Sequence, residues 1–164
     1  MVRTWGVIGV LLLYSAHPAF SAEPPTFDQY KVNELFDKNP APIDVKSHPR
    51  AKRYKEALSA SASQGPNFAG HYRIVTWGCG TACLELAIVD LENGRVIFPG
   101  NLKRDYYQGV RDGSEPFSFR KDSALLVVAG SPNNRERLGL HYFLWKPDDL
   151  VDIYEIRHSF SPTQ

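Results

Sequence analysis

Cysteine is scarce in this chain: Cys79 and Cys83 are the only two among 164 residues. So few thiols exclude a disulfide-dense miniprotein, in which bridges replace a core. Neither sign of charge is in excess, since 19 Lys and Arg face 18 Asp and Glu. The strong field that concentrates nucleic acid or anionic lipid is therefore missing. Collagen periodicity, coiled-coil heptads and a charged disordered tail are also absent. There is no Gly-rich phosphate cradle, no Gly-x-Ser-x-Gly elbow and no His-Glu-x-x-His pair. Asp90, Glu92, Asp105 and Asp112 lack calcium-loop spacing. These gaps weigh against the common nucleotide-binding and hydrolase classes and imply no cofactor and no metal. What is present, 43% hydrophobic and 23% charged residues, is the composition of one globular domain.

No apolar run reaches the roughly 20 residues of a membrane helix. Gly6 to Tyr14 (GVIGVLLLY) is apolar, Arg3 is the only charge before Glu23, and small residues follow at Ala19, Ser21 and Ala22. A charged start, a short apolar run and a small-residue exit predict a cleaved signal peptide over residues 1–22. Cleavage after Ser21 puts Ala19 three residues before the cut. No cysteine near the exit marks a lipoprotein. About 142 residues then remain, enough for a self-sufficient core, with balanced charge and with His48, His71, His141 and His158. The expected location is the periplasm or the medium, with no membrane contact after cleavage.

Residues 23–164 read as a single α+β domain. Residues 23–47, with Pro24-Pro25 at one end and Pro40-Ala41-Pro42 at the other, read as an arm packed on it. Residues 48–62 predict a helix: Ser47 as cap, Pro49 in the first turn, and Ala51, Tyr54, Leu58 and Ala62 at helical spacing. Strand patterns follow at His71–Trp77, Leu84–Leu91, Arg95–Phe98, Phe117–Phe119, Ser123–Ala129, Leu140–Trp145 and Leu150–Ile156. Asn93-Gly94 predicts a tight hairpin with positive φ at both turn positions. Lys146-Pro147-Asp148-Asp149 predicts a type I turn. The expectation is an antiparallel sheet of about six to seven strands with one covering helix.

The cysteines sit in Trp77-Gly78-Cys79-Gly80-Thr81-Ala82-Cys83, between two predicted strands. In an exported chain they are expected to pair, closing a short loop. Such a staple either serves the fold or presents a rigid loop, which loses little ordering entropy on binding. Three alternatives stay open. A redox pair would have two intervening residues rather than three. Zinc would draw on Cys79, Cys83, His71 and His141. A nucleophile pair would join Cys79 to His71. Strand alternation puts His71, Arg73, Val75 and Trp77 on one face and Tyr72, Ile74 and Thr76 on the other. The candidate binding residues are His71, Arg73, Trp77 and Thr81. Asp148-Asp149 reads as turn chemistry rather than a catalytic pair.

The motif Gly65-Pro66-Asn67-Phe68-Ala69-Gly70-His71-Tyr72, followed by Trp77-Gly78-Cys79-Gly80-Thr81-x-Cys83 and Ala87-Ile88-Val89-Asp90, resembles a group of exported bacterial proteins. It carries no activity with it. In architecture the chain is also similar to bacterial inhibitors of vertebrate-type lysozyme, which present a short disulfide-closed loop between consecutive antiparallel strands. In those inhibitors the loop carries a histidine; here Gly80, Thr81 and Ala82 fill it, and it is one residue shorter. The resemblance implies an exported binding protein whose partner is a protein, a cell-envelope hydrolase. The alternatives are an exported enzyme using His71 as acid or base, and a structural envelope protein.

Overall fold

The computed structural model describes residues 23–107, 115–134 and 136–157. The signal-peptide expectation for residues 1–22, His158 and part of the polar 133–139 loop lie outside these. Among the described residues the order is a 3-10 turn at Phe27–Tyr30, α1 at Lys55–Ala62, β1 at Tyr72–Gly80 and β2 at Cys83–Asp90. Six strands follow: β3 at Val96–Ile97, β4 at Asp105–Tyr106, β5 at Phe117–Phe119, β6 at Leu125–Pro132, β7 at Gly139–Lys146 and β8 at Asp149–Arg157. They form one antiparallel eight-stranded sheet in the order β1-β2-β4-β6-β7-β8, with β3 on β2 and β5 on β6. The class is α+β.

The strand count exceeds the expected six to seven because of β4. This two-residue strand pairs with Cys83 and Leu84 on one side and with Ser131 and Pro132 on the other. Nothing local marks so short a strand. Its pairing is entirely long-range, and it joins the β1–β2 hairpin to the β6–β7–β8 meander.

The hairpin is buried on both faces, which explains why neither face of β1 reads as core in the sequence. Ile74, Leu86 and Ile88 point into a core shared with Leu126, Val128, Phe143, Trp145 and Leu150 of the meander. Val75, Ala87 and Val89 point the other way, onto Ala51, Leu58 and Ala62 of the helical segment. Two-sided burial matches the unbroken apolar run Leu86–Val89 in β2. Fully covering a Leu or Ile contributes about 1.5–3 kcal/mol, so this strand carries a large share of the fold.

Several local expectations are corrected. The regular helix spans Lys55–Ala62 only. Residues 48–54 form hydrogen-bonded turns, Ala51 N–H to His48 O at 2.9 Å and Arg53 N–H to Arg50 O at 3.1 Å. Ser47 does not cap them: its hydroxyl donates to Asp44 O and accepts the Val96 N–H at 2.9 Å. The β2–β3 turn spans Leu91 to Gly94, not two residues, and only Gly94 takes positive φ, +77°. The Asp90 carboxylate shapes this turn, accepting from Glu92 N–H at 3.0 Å and Asn93 Nδ2 at 2.8 Å. The β7–β8 turn has φ +78° at Asp148, its third position. That is the type II signature rather than type I.

Residues 23–47 run across the end of the hairpin opposite the cysteines. Val32 N–H bonds to Asp122 O, Phe36 N–H to Gly70 O, Ala41 N–H to Leu91 O and Asp44 N–H to Gly94 O. The arm thereby ties the β5–β6 turn to both strands of the hairpin.

Candidate functional site

Cys79 and Cys83 are bonded, with Cα atoms 5.1 Å apart. The register of β1 on β2 shifts between Gly78 and Gly80, so Cys79 sits on a bulge and reaches across to Cys83. Thr81 and Ala82 form the two-residue tip, with Ala82 at φ +48°. Gly78, Gly80 and Thr81 are exposed, whereas Cys83 is buried. One flank of the tip is held by the residue after β4, through Tyr107 N–H to Ala82 O at 3.1 Å. The tip is therefore tied three ways: by the bond, by β4 and by the two-sided packing behind it. The bonded sulfurs offer no thiolate for a nucleophile or a zinc ion.

The four candidate binding residues do not form one site. Ten strand steps separate His71 from Thr81, roughly 30 Å, and they lie at opposite ends of the hairpin. Arg73 is absorbed by the end of α1. Its guanidinium donates to Ser61 Oγ at 2.8 Å, Gly65 O at 2.7 Å and Gln64 Oε1 at 2.6 Å. Burial pulls its pKa below the usual arginine value. Trp77 stacks on Tyr54 at 4.5 Å between ring centres and meets Phe98 edge-on at 6.0 Å. Its indole nitrogen is buried without a hydrogen-bond partner.

Around Trp77 the fold assembles a patch that sequence reasoning missed. The Arg50 guanidinium lies 4.4 Å from the Phe98 ring centre and 5.5 Å from that of Tyr54. It pairs with Glu85, which faces Trp77 across the strands and also meets Arg104 at 3.4 Å. His48 packs on Phe98 at 4.5 Å, and burial together with Arg50 holds its pKa below the ordinary histidine value. A cleft of about 180 Å³ opens here, lined by His48, Arg50, Phe98 and Lys103 among others. The sequence offered Trp77 itself and Tyr54 on the apolar helical face. Arg50, Phe98 and Arg104 come from separate segments with no shared motif.

At the other end, His71 lines a cleft of about 310 Å³ with Glu34, Phe36, Asp37, Lys38 and Glu92. His71 Nε2 stands 3.8 Å from the buried Asp90 carboxylate. A second histidine cluster occupies the meander. There His141, fully buried, donates from Nε2 to Arg137 O at 2.6 Å, and its Nδ1 lies 3.5 Å from Glu155. Arg137 pairs with Glu155 and with Asp152, and Arg157 also pairs with Glu155. These arginines hold the Glu155 carboxyl below its usual range.

Asp105 on β4 is the other unusual group. It is completely buried, and neither oxygen has a well-aligned hydrogen bond. Burial raises its pKa to about 7, only partly offset by the backbone of Ser131 and Tyr106. Gly130 leaves it room, since a Cβ there would overlap the carboxylate. No helix among the described residues is long and apolar enough to cross a membrane. Comparison with protein-family models, with curated proteins and with solved structures gives no match.

Proposed function

We propose that this is an exported binding protein that inserts its stapled tip into the cleft of a cell-envelope glycoside hydrolase. The observation that carries the reading is the tip itself: Thr81 is exposed at the end of a disulfide-closed turn whose base is packed on both faces. A knuckle held this way gives up little conformational entropy on docking. Beside it, Arg50, Tyr54, Trp77 and Phe98 supply the arginine and aromatic side chains that dominate interface energetics. Arg53, 5.5 Å from the Tyr54 ring centre, and Arg104 beside Glu85 add positive charge there, which suits the paired carboxylates of a glycoside-hydrolase cleft. The similarity to inhibitors of vertebrate-type lysozyme points to the same class of partner, without a histidine in the loop.

The test is calorimetry and inhibition assays of the purified protein against vertebrate-type lysozyme and a panel of bacterial cell-wall glycosidases. A complex with at least one of them is expected, weakened roughly tenfold or more by Thr81→Glu, which sets a like charge against the cleft carboxylates at the centre of the interface. The variant's circular dichroism spectrum should match the parent's. Absence of binding across the panel, or equal binding by Thr81→Glu, overturns the reading. A second reading, an exported enzyme with His71 as acid or base, draws its support from the cleft beside His71. It requires a turnover that His71→Gln abolishes.

A further inference from the structure

Two groups of His and carboxylate side chains have their donor atoms within 4.8 Å of one another: His71, Asp90 and Glu92, and His141, Asp152 and Glu155. In the second, the positive charge that three such donors attract is already supplied by the guanidiniums of Arg137 and Arg157. In the first it is not. Among the described residues no Lys or Arg side chain forms an ion pair with Asp90 or Glu92. The Asp90 side chain is only 8% exposed. Its hydrogen bonds come from Glu92 N–H and Asn93 Nδ2, which orient a carboxylate and leave its charge in place. The adjoining cleft adds Glu34 and Asp37, with Lys38 as the only Lys or Arg in its lining among the described residues. Arg95, whose guanidinium also feels the Asp90 charge, is paired with Asp148, so Glu34, Asp37, Asp90 and Glu92 leave the pocket negative.

From this geometry we infer that His71 Nε2, Asp90 and Glu92 bind a divalent transition-metal ion. One imidazole nitrogen and two carboxylates suit zinc first and manganese second. Metal–ligand bonds of about 2.0–2.2 Å bring donor atoms to roughly 3–3.6 Å of one another. The observed 3.8 Å between His71 and Asp90 closes to that by a small side-chain adjustment. Asp90 is set by the β2–β3 turn, and the hydrogen bonds it accepts hold it in the way that supporting shells hold metal ligands. Glu92 is exposed on the same turn, and His71 precedes β1 where Leu91 N–H bonds to its carbonyl at 3.1 Å. Water would complete the coordination. The site is remote from the tip and does not depend on hydrolase binding.

The experiment is isothermal titration of untagged, chelator-treated full-length protein with zinc chloride and, separately, manganese chloride. One ion per chain is expected for zinc. His71→Ala and Glu92→Gln should each weaken zinc binding roughly tenfold or more. Asp152→Asn, in the arginine-filled cluster, should bind zinc as the parent does. Glu92→Gln lies on an exposed turn, so it decides the question even where His71→Ala fails to fold. No saturable zinc uptake by the parent, or uptake unchanged in Glu92→Gln, overturns the proposal. So does uptake abolished by Asp152→Asn.

Discussion

The two ends of the β1–β2 hairpin are fixed by different means. At the tip, a covalent bond closes the turn and β4 ties Cys83 and Leu84 to the meander. At the other end, four arm backbone hydrogen bonds at Val32, Phe36, Ala41 and Asp44 latch the turn and both strands. The first end spends few residues and exposes a hard surface. The second uses some twenty-five residues of chain and encloses a polar cleft. A small stiff loop suits docking, whereas a cleft between two chain segments suits a small ligand. The difference teaches that the positions of His71 and Thr81 follow from one hairpin, yet the two residues serve separate surfaces.

The largest blow to the arm end should come from Gly94→Ala. Gly94 has φ +77°, and a Cβ there would overlap the carbonyl of Pro42. The turn or the arm must move, with loss of the Asp44–Gly94 and Ala41–Leu91 bonds. A cost of about 4–5 kcal/mol is expected, read as a fall in urea midpoint. A loss below about 1 kcal/mol would show that the arm contributes little.

The tip end should respond to pH through Asp105. Its folded pKa of about 7 lies above the ordinary carboxylate value. The folded chain therefore keeps a proton that the unfolded chain has released. The stabilisation is complete below the unfolded pKa, declines as pH rises and is gone above about 7. The total is at most about 4 kcal/mol. Urea unfolding of the parent at about pH 4.5 and 8 should show this decline, and Asp105→Asn should remove most of it. A parent profile that is flat or rises over that range contradicts the assignment.

The smallest of the three effects belongs to the staple. Replacing both Cys79 and Cys83 by Ser should cost about 2 kcal/mol, since the closed loop is short. Amide exchange at the arm bonds of Ala41 and Asp44 should not change. If it quickens with the tip amides, the two ends are coupled and the contrast between them fails.

Much of the fold was legible. Leu84–Leu91 and Leu140–Trp145 show apolar runs flanked by turn residues, and of the residues at helical spacing Leu58 and Ala62 mark the buried face of α1, with Ala51 buried in the turns before it. The turn types were less so. Asn93-Gly94 lengthened because Asp90 captures the turn with its carboxylate, and Asp148 adopts positive φ where Pro147 precedes it. Of the four residues singled out for binding, Thr81 stands at the tip as its spacing implied. Arg73 is bound to the end of the helix, which no motif announces. The patch of Arg50, Glu85, Phe98 and Arg104 draws on four separated segments, so no local spacing could reveal it.

By itself the amino-acid sequence determined the α+β class, most strands and the proximity of Cys79 to Cys83, because these depend on neighbours along the chain. Only the tertiary structure decided that β4 bridges the two halves, that Asp105 is sealed in the joint and that His71 faces Asp90 beneath the arm. Those outcomes depend on contacts between residues far apart in sequence, and periodicity within a segment holds no information about which distant segment will cover it.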